Sequence, residues 1–240
     1  DRDVYANFSL WDTYRTTVQL QAMLFPERVS DMVQSLLLFS QQSYGGLPVW
    51  TLNNTDNGVM NGYSAFPFIA NAYAFGARNF DLKGTVEQMK RAAEEELPIK
   101  DGRGWEELVH YKKYGFLPAD SVASYAVSKT IEYSVADYSL AQLCLALGDS
   151  ASYRRYFERS KNVFHNLHPE TGFFQPKNAD DNWHEPFDPK STFGFNEGNS
   201  AQYSFSVPQH IEMLITKSGG PEAVERRLDA FFSKILTTGW

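Results

Sequence analysis

The strongest constraint on the fold of this chain is a repeated pairing of helical stretches, in which an apolar stretch is followed by a more charged one. The apolar members are residues 10–25, 59–75, 121–147 and 199–215, and the charged members are residues 26–45, 81–97, 150–167 and 221–236. After Pro26 the apolar residues recur at the spacing of one helix face. They are Val29, Met32, Val33, Leu36 and Leu37. Because this pairing is typical of layered helices and segments of alternating polarity are almost absent, we predict an all-α fold.

Three long loops separate the helical pairs: residues 45–58, 100–120 and 169–198. They contain Trp50, Trp105 and Trp183, in a chain whose aromatic content is 15%. Exposed rings beside polar groups are one way in which proteins hold sugars, although packing between helices is the commoner role of aromatic residues. Because loops on a rigid scaffold often carry function, we expect the binding site in these loops.

Composition argues against several classes of function. The net charge of -7 offers no basic stripe to neutralise phosphates, so we expect no nucleic-acid partner. The one cysteine, Cys144, excludes an intrachain disulfide and a thiolate metal cluster, and its apolar helix face predicts a core residue. No apolar stretch approaches the roughly 20 residues that span a membrane. Since the chain begins at Asp1 without a leader and stops just after a predicted helix, we expect a fragment of a longer protein.

Carboxylates are the candidates for chemistry, and Asp12 is the first of them. It directly follows Trp11 near the start of a predicted helix. One interpretation is a carboxylate stabilised by the N-terminal helix dipole. The other is a carboxylate that accepts sugar hydroxyls beside an aromatic ring, and the sequence leaves both open.

Glu197 is the second candidate, in the segment 195–199 (FNEGN) between an aromatic loop and an aromatic helix. The backbone is expected to turn tightly at Gly198. A glutamate in a partly apolar pocket has its neutral form favoured, as a general acid near neutral pH requires. The alternative is a glutamate that caps the following helix.

A polar run, Asn178-Ala179-Asp180-Asp181-Asn182, carries oxygen ligands of the kind that Ca²⁺ prefers. It lacks the spacing of an EF-hand loop, so a polar turn is the favoured interpretation.

Eight short segments, in this order along the chain, carry a family resemblance. They are residues 8–15 (FSLWDTYR), 26–33 (PERVSDMV), 47–50 (LPVW), 111–115 (YKKYG), 127–133 (VSKTIEY), 169–173 (PETGF), 176–180 (PKNAD) and 197–203 (EGNSAQY). Together they resemble the central part of the catalytic domain of glycoside hydrolase family 92, the Ca²⁺-dependent exo-α-mannosidases, known mostly as exported bacterial enzymes. The resemblance covers residues 1–240 and implies a toroid of helix pairs, an incomplete (α/α)6 barrel.

The resemblance also implies an activity: inverting hydrolysis that removes terminal α-mannose from mannans or N-glycans, with α-1,2 linkages favoured. By motif match Glu197 is the general acid, and Trp11 with Asp12 helps to form the subsite for the terminal mannose. The family's Ca²⁺ helps to distort the mannose ring, and Asn199 with Gln202 is expected to form part of its cage. The expected location is periplasmic, cell-surface or secreted.

Two parts of the family pattern do not occur in this sequence: the motif of the catalytic base and the N-terminal domain. The acidic motif that carries the catalytic base is absent here, as is the N-terminal β-sandwich, so both are expected in the rest of the parent chain as its partners. We therefore expect the isolated chain to be inactive. Ala201 stands before Gln202 where the family is expected to have an aromatic residue. Two alternatives stay open: a non-catalytic helical scaffold or glycan-binding module, and another (α/α)6 glycosidase.

Overall fold

The structure, a computed structural model, describes residues 2–43, 45–95, 97, 106–122 and 124–237. Its helices are α1 (Leu10–Thr13), α2 (Thr17–Leu24), α3 (Pro26–Gln42), α4 (Ala65–Ala74), α5 (Leu82–Glu94), α6 (Glu106–Tyr114), α7 (Ala126–Ala146), α8 (Ser150–Arg159), α9 (Ser200–Tyr203), α10 (Ile211–Lys217) and α11 (Pro221–Thr237). Two stretches of 3-10 helix cover Ser160–Asn166 and Pro208–His210. The strands are β1 (Phe8–Ser9), β2 (Trp50–Leu52) and β3 (Thr55–Asp56). The prediction of a mainly helical fold is confirmed.

The described residues form two compact units. Unit 1 comprises the residues up to Val109 together with Glu132–Ser160, and unit 2 comprises His110–Ile131 together with the residues from Lys161 onward. Helix α7 contributes its N-terminal end to unit 2 and its remainder to unit 1. Among the described residues, no helix combines the length and the apolar character that crossing a membrane requires.

The core of unit 1 follows the predicted amphipathic pattern. Helix α3 begins at Pro26, which suits a first helical position because its missing N–H leaves no hydrogen bond unmade. Helices α2, α3 and α4 contact one another. The predicted apolar face of α3 is buried at Val29, Val33, Leu36 and Leu37. Cys144 is also fully buried, as predicted.

The helix predicted over residues 10–25 is broken after Thr13. Tyr14, Arg15 and Thr16 form a turn, and the side chain of Gln19 donates to the Tyr14 carbonyl at 3.0 Å, which satisfies an acceptor that the break frees. The helical spacing predicts that Leu10, Tyr14, Val18 and Met23 share one face; the first three are buried, whereas Met23 is 58% exposed. Met23 departs from this face because α2 starts anew at Thr17 and is not the continuation of α1.

A small antiparallel sheet, in the order β1-β2-β3, departs from the predicted all-α character. Its strands of two or three residues are too short to leave an alternating pattern in the sequence. Asn53 and Asn54 both adopt left-handed backbone conformations, with φ of 53° and 59°, and so close the two-residue hairpin between β2 and β3. The register pairs Ser9 with Trp50, which brings the loop tryptophan to the start of α1.

Two other expectations for unit 1 are corrected. The helix predicted from residue 59 begins at Ala65, because Gly58, Met60 and Gly62 have positive φ values that no α-helix accommodates. The acidic run 94–96 predicts a solvated face, and Glu95 is exposed as expected. Glu94, however, is half-buried and pairs with Arg155 at 2.6 Å and Arg159 at 3.0 Å; Glu96 lies outside the described residues.

Unit 2 also departs from the predicted boundaries. The loop expected over residues 100–120 contains α6, which belongs to unit 1 up to Val109 and to unit 2 from His110, and whose acidic start and basic end complement the helix dipole. The helix expected over 199–215 is interrupted between Tyr203 and Ile211, and Pro208 disfavours a helical conformation at Val207 within this interruption. The segments of unit 2 pack around a hydrophobic core of buried side chains. They are Val127, Ile131, Val163, Leu167, Phe174, Phe195, Tyr203, Val207 and Leu214.

Candidate functional site

In unit 1, Asp12 lies exposed in the single turn of α1. Its carboxylate accepts from the hydroxyl of Ser9, and the indole N–H of Trp50 reaches it at 3.5 Å. Trp11 is half-buried beside it. The structure therefore brings Trp11, Asp12 and Trp50 together, an exposed carboxylate among aromatic rings. Sugar-binding sites in proteins commonly combine hydroxyl acceptors with apolar ring faces in this way.

Behind this surface lies a carboxylate that the sequence did not single out. Glu132, on α7, is 3% exposed, and its oxygens accept from the Tyr14 hydroxyl and the Arg15 guanidinium, both at 3.0 Å. The Arg15 guanidinium lies over the ring of Trp11 at 4.3 Å and the ring of Tyr14 at 4.7 Å. Burial raises the pKa of Glu132, while Arg15 and Tyr14 oppose that shift. A glutamate between Ile131 and Tyr133, in a helix of mostly apolar and small residues, is the signal that could have found it.

Gly62 packs against Glu132 from another direction. Its φ of 79° lies in the left-handed region, and a Cβ added there would overlap the Glu132 Cβ and lie 3.1 Å from its Cγ. Glycine is required both by the backbone conformation and by the lack of space. The carboxylate is thus held between the Gly62 backbone and the Tyr14-Arg15 turn.

In unit 2, Glu197 has an unusual backbone. Its φ is 50°, a left-handed conformation that costs a non-glycine residue about 1–3 kcal/mol and clusters at functional sites. Helix α7 holds the preceding residues: the N–H groups of Val127 and Ser128 donate to the Gly194 carbonyl, at 3.0 and 3.2 Å. The Asn196 N–H donates to the Ser128 hydroxyl at 3.1 Å. The surrounding contacts therefore stabilise the strained conformation.

Asn196 is fixed from its other side as well. The hydroxyl of Tyr203 donates to its carbonyl at 2.7 Å, and the ring of Tyr203 packs on Phe195 at 5.4 Å. The Glu197 side chain is exposed, so the partly apolar pocket expected around it is not formed by the described residues of unit 2. The alternative of a capping glutamate is wrong, because Asn199 caps the following helix.

Asn199 and Gln202 form a reciprocal capping box at the start of α9. The Asn199 amide oxygen accepts from the Gln202 N–H at 3.1 Å, and the Gln202 amide oxygen accepts from the Asn199 N–H at 3.0 Å. Ca²⁺ takes six to eight oxygen ligands, usually with carboxylates among them. Two amide oxygens that already accept backbone hydrogens do not by themselves fit such a cage.

The polar run 178–182 forms a turn, as favoured from the sequence. The Asn178 N–H donates to the Asn182 carbonyl at 2.9 Å, and the Asp180 carboxylate accepts from the backbone and side chain of Asn182. Across the part of the chain that the structure describes, no three His, Cys, Asp or Glu side chains gather in a group suited to a metal ion.

The loop before Glu197 contains an aromatic recess of about 140 Å³. His184, Phe187 and Phe193 contribute rings to it, and Asp188 contributes a carboxylate. The His184 and Phe193 rings stack at 4.4 Å. Trp183, from the same loop, lies under the ammonium of Lys177 at 4.7 Å, whereas Trp105 lies outside the described residues.

Comparison with known proteins gives one consistent answer. Residues 1–239 match the family model "Glycosyl hydrolase family 92 catalytic domain". A family GH92 α-mannosidase of Bacteroides thetaiotaomicron is 29% identical and aligns with a TM-score of 0.88 over 97% of this chain and 30% of its own. An inverting GH92 mannosidase of the same organism is 28% identical, with a TM-score of 0.89 over 96% and 31%.

A further relative is a protein of Arthroderma benhamiae named as an uncharacterized secreted glycosidase. It is 27% identical, and the match covers 85% of this chain and 30% of the relative. The chain thus spans under a third of the length of each of these proteins.

Proposed function

The chain belongs to glycosyl hydrolase family 92, and from this premise we propose that it is part of an inverting exo-α-mannosidase. The α-mannosidase and the inverting mannosidase among its structural neighbours support this assignment. The match over residues 1–239 favours this family over other (α/α)6 glycosidases. The activity belongs to the full-length protein, because this chain corresponds to 30% or 31% of those neighbours.

Glu197 is the proposed general acid, and its left-handed backbone is the observation that carries the proposal. A strained backbone conformation persists where neighbouring contacts fix it. Here the residue before Glu197, Asn196, is fixed by hydrogen bonds to Ser128 of α7 and to the Tyr203 hydroxyl. Its exposed side chain is available to the oxygen of a leaving sugar. In an inverting reaction the acid protonates that oxygen while a base, about 6.5–9.5 Å away, activates water. The base is proposed to lie in the parent protein outside this chain.

Trp11 and Asp12 are the proposed subsite for the terminal mannose. Asp12 would accept sugar hydroxyls, while the rings of Trp11 and Trp50 supply apolar surface for the sugar face. A solved structure of a GH92 α-mannosidase similar to this chain is a complex with mannoimidazole. That complex supports a mannose-type ligand for the family.

Substrate and location follow as further proposals. The substrate is terminal α-mannose of mannans or N-glycans, with α-1,2 linkages favoured by the resemblance. The Arthroderma benhamiae relative is named as secreted, which supports an exported protein here. Ca²⁺ dependence stays a prediction, and no catalytic step is assigned to the ion, because Asn199 and Gln202 do not fit a cage by themselves.

Replacement of Glu197 by glutamine in the full-length protein tests the function. Glutamine keeps the shape of the side chain but cannot give up a proton, and general-acid help is typically worth about 10²–10⁴ in rate. We expect a large loss of kcat/KM for a mannobiose and a much smaller loss for a dinitrophenyl mannoside, whose leaving group needs little protonation.

Asp12→Ala is the matched comparison. Since Asp12 would hold the sugar, the Asp12→Ala variant should lose activity on both substrates to a similar extent.

NMR of the mannose anomer that the wild-type protein releases first would show whether hydrolysis inverts the configuration. Equal losses on the two substrates for Glu197→Gln would remove the acid assignment, and a wild-type protein inactive on both would favour a non-catalytic glycan-binding role.

A further inference from the structure

Glu132 is a buried carboxylate for which the proposed reaction provides no direct role. Removing a carboxylate from water costs several kcal/mol, which is recovered only through well-placed partners. Its partners in unit 1 are the hydroxyl of Tyr14 and the guanidinium of Arg15, each 3.0 Å away. The indole N–H of Trp11, in contrast, makes no hydrogen bond within the part of the chain that the structure describes.

A second buried carboxylate on α7 provides a contrast. Asp137 accepts two hydrogen bonds from the Arg159 guanidinium, at 2.8 and 2.6 Å, and Arg159 also donates to Glu94 and to the Ala93 carbonyl. This network joins α5, α7 and α8, and it includes neither Trp11 nor Asp12. Glu132 differs because both of its hydrogen-bond donors lie in the turn that follows α1.

Helix α1 depends on such support. It is a single turn of four residues, its N-cap residue makes no side-chain capping hydrogen bond, and a lone turn is unstable in isolation. Arg15 connects the buried carboxylate to the surface, because its guanidinium pairs with Glu132 and lies over the ring of Trp11. The ion pair thereby joins residues 117 positions apart in sequence and lies against the ring of Trp11, the residue before Asp12.

We propose that Glu132 is a positioning residue for the mannose subsite: through Tyr14 and Arg15 it fixes α1, and so the placement of Trp11 and Asp12. This inference rests on the proposed function, since it assumes that Trp11 and Asp12 hold the sugar. Gly62 contributes to the arrangement, because a side chain at this position would collide with Glu132. Glu132 touches neither the leaving oxygen nor the attacking water in this role.

The test is Glu132→Gln in the full-length protein, with Asp137→Asn as the matched control on the same helix. The glutamine amide can accept at its oxygen but not at its nitrogen, so one of the two donors loses its acceptor. We expect KM for a dinitrophenyl mannoside to rise about ten- to a hundredfold, with a smaller change in kcat. The same factor should apply to a mannobiose. Asp137→Asn should lower thermal stability and leave KM unchanged.

Arg15→Lys is the second variant. Arg15 is more exposed than Glu132, so we expect its replacement to destabilise the folded protein less than replacement of Glu132. Lysine keeps the charge but loses the planar group that lies over Trp11. The double variant Arg15→Lys/Glu132→Gln should raise KM by little more than either single change, because both act through one contact.

Several results would overturn the positioning role. If the wild-type protein is active and Glu132→Gln keeps the wild-type KM, the role fails while the proposed function stands. If both carboxylate variants raise KM equally, or if the effects of Arg15 and Glu132 simply multiply, Glu132 is a general packing residue. If the wild-type protein hydrolyses neither mannoside, the proposed function itself fails and the subsite with it.

Discussion

Gly62 and Glu132, seventy residues apart in sequence, pack so closely that a methyl group on the glycine would overlap the Cβ of the glutamate. The glycine also has a φ of 79°, which few other residues adopt. This contact makes the position of a buried carboxylate dependent on one residue in a loop.

Gly62→Ala should therefore destabilise the full-length protein more than a conformational penalty alone explains. Overpacking in a core typically costs about 1–3 kcal/mol, in addition to the left-handed strain. Gly148→Ala is the control, since Gly148 has a φ of 77° but no atom within 4 Å of an added Cβ. Urea unfolding of both variants would measure the difference, and equal losses would contradict the packing argument.

The capping box predicts a stability effect at Asn199. Asn199→Ala should lower the free energy of unfolding by about 1 kcal/mol, because the Gln202 N–H loses its acceptor. Asp81→Ala, which removes the acceptor from the Gly84 N–H at the start of α5, is a matched cap with a similar expected cost.

Ca²⁺ distinguishes capping from ligation at the same residue. If Asn199 only caps α9, its substitution should cost the same in the presence of Ca²⁺ and of a chelator, as for Asp81. If Asn199 instead binds the ion, its substitution should also remove the stabilisation that Ca²⁺ gives the wild-type protein, so the cost should be larger with Ca²⁺ than with the chelator. Thermal unfolding of wild-type and variant proteins with and without Ca²⁺ decides between these roles.

His165 predicts a pH dependence of stability. His165 is partly exposed, and the burial of part of its ring, followed by the nearby charge of Lys177, holds its pKa below the ordinary value of 6.5, with Asp181 opposing and Lys217 adding to the shift. The folded protein therefore binds the proton less tightly than the unfolded chain. This contribution to stability is full above pH about 6.5 and is lost as pH falls from there through the folded pKa.

His165→Gln should flatten that part of the pH profile. Urea unfolding of wild-type and variant proteins between pH 5 and 7.5 measures the two slopes. The same slope in both proteins would show that other groups cause the acid sensitivity.

Cys144 should be inert in the native protein. Burial raises the pKa of its thiol to about 11, and the side chain is fully buried. At pH 8 only about one thiol in a thousand is the reactive thiolate. Iodoacetamide followed by peptide mass spectrometry should show Cys144 unmodified in the native state and alkylated in urea. Rapid alkylation of the native protein would contradict its place in the core.

The sequence determined the helical character of the chain, the buried face of α3 and the core position of Cys144. These depend on residues a few positions apart, whose spacing alone decides which face of a helix is apolar. It also predicted Asp12 and Glu197 as candidates, whose catalytic roles stay predictions. The break after Thr13 was not predicted, because Leu10, Tyr14 and Val18 keep the spacing of one helix face across it.

Only the tertiary structure decided which groups surround those candidates. Trp50 reaches Asp12 because a short sheet pairs β1 with β2, and strands of two or three residues leave no pattern in sequence. Glu132 reaches Arg15 across 117 residues, and Gly62 reaches Glu132 from a loop. Such contacts follow from how the whole chain packs, since the energy of a buried charge depends on the partners that folding brings to it and not on its neighbours in sequence.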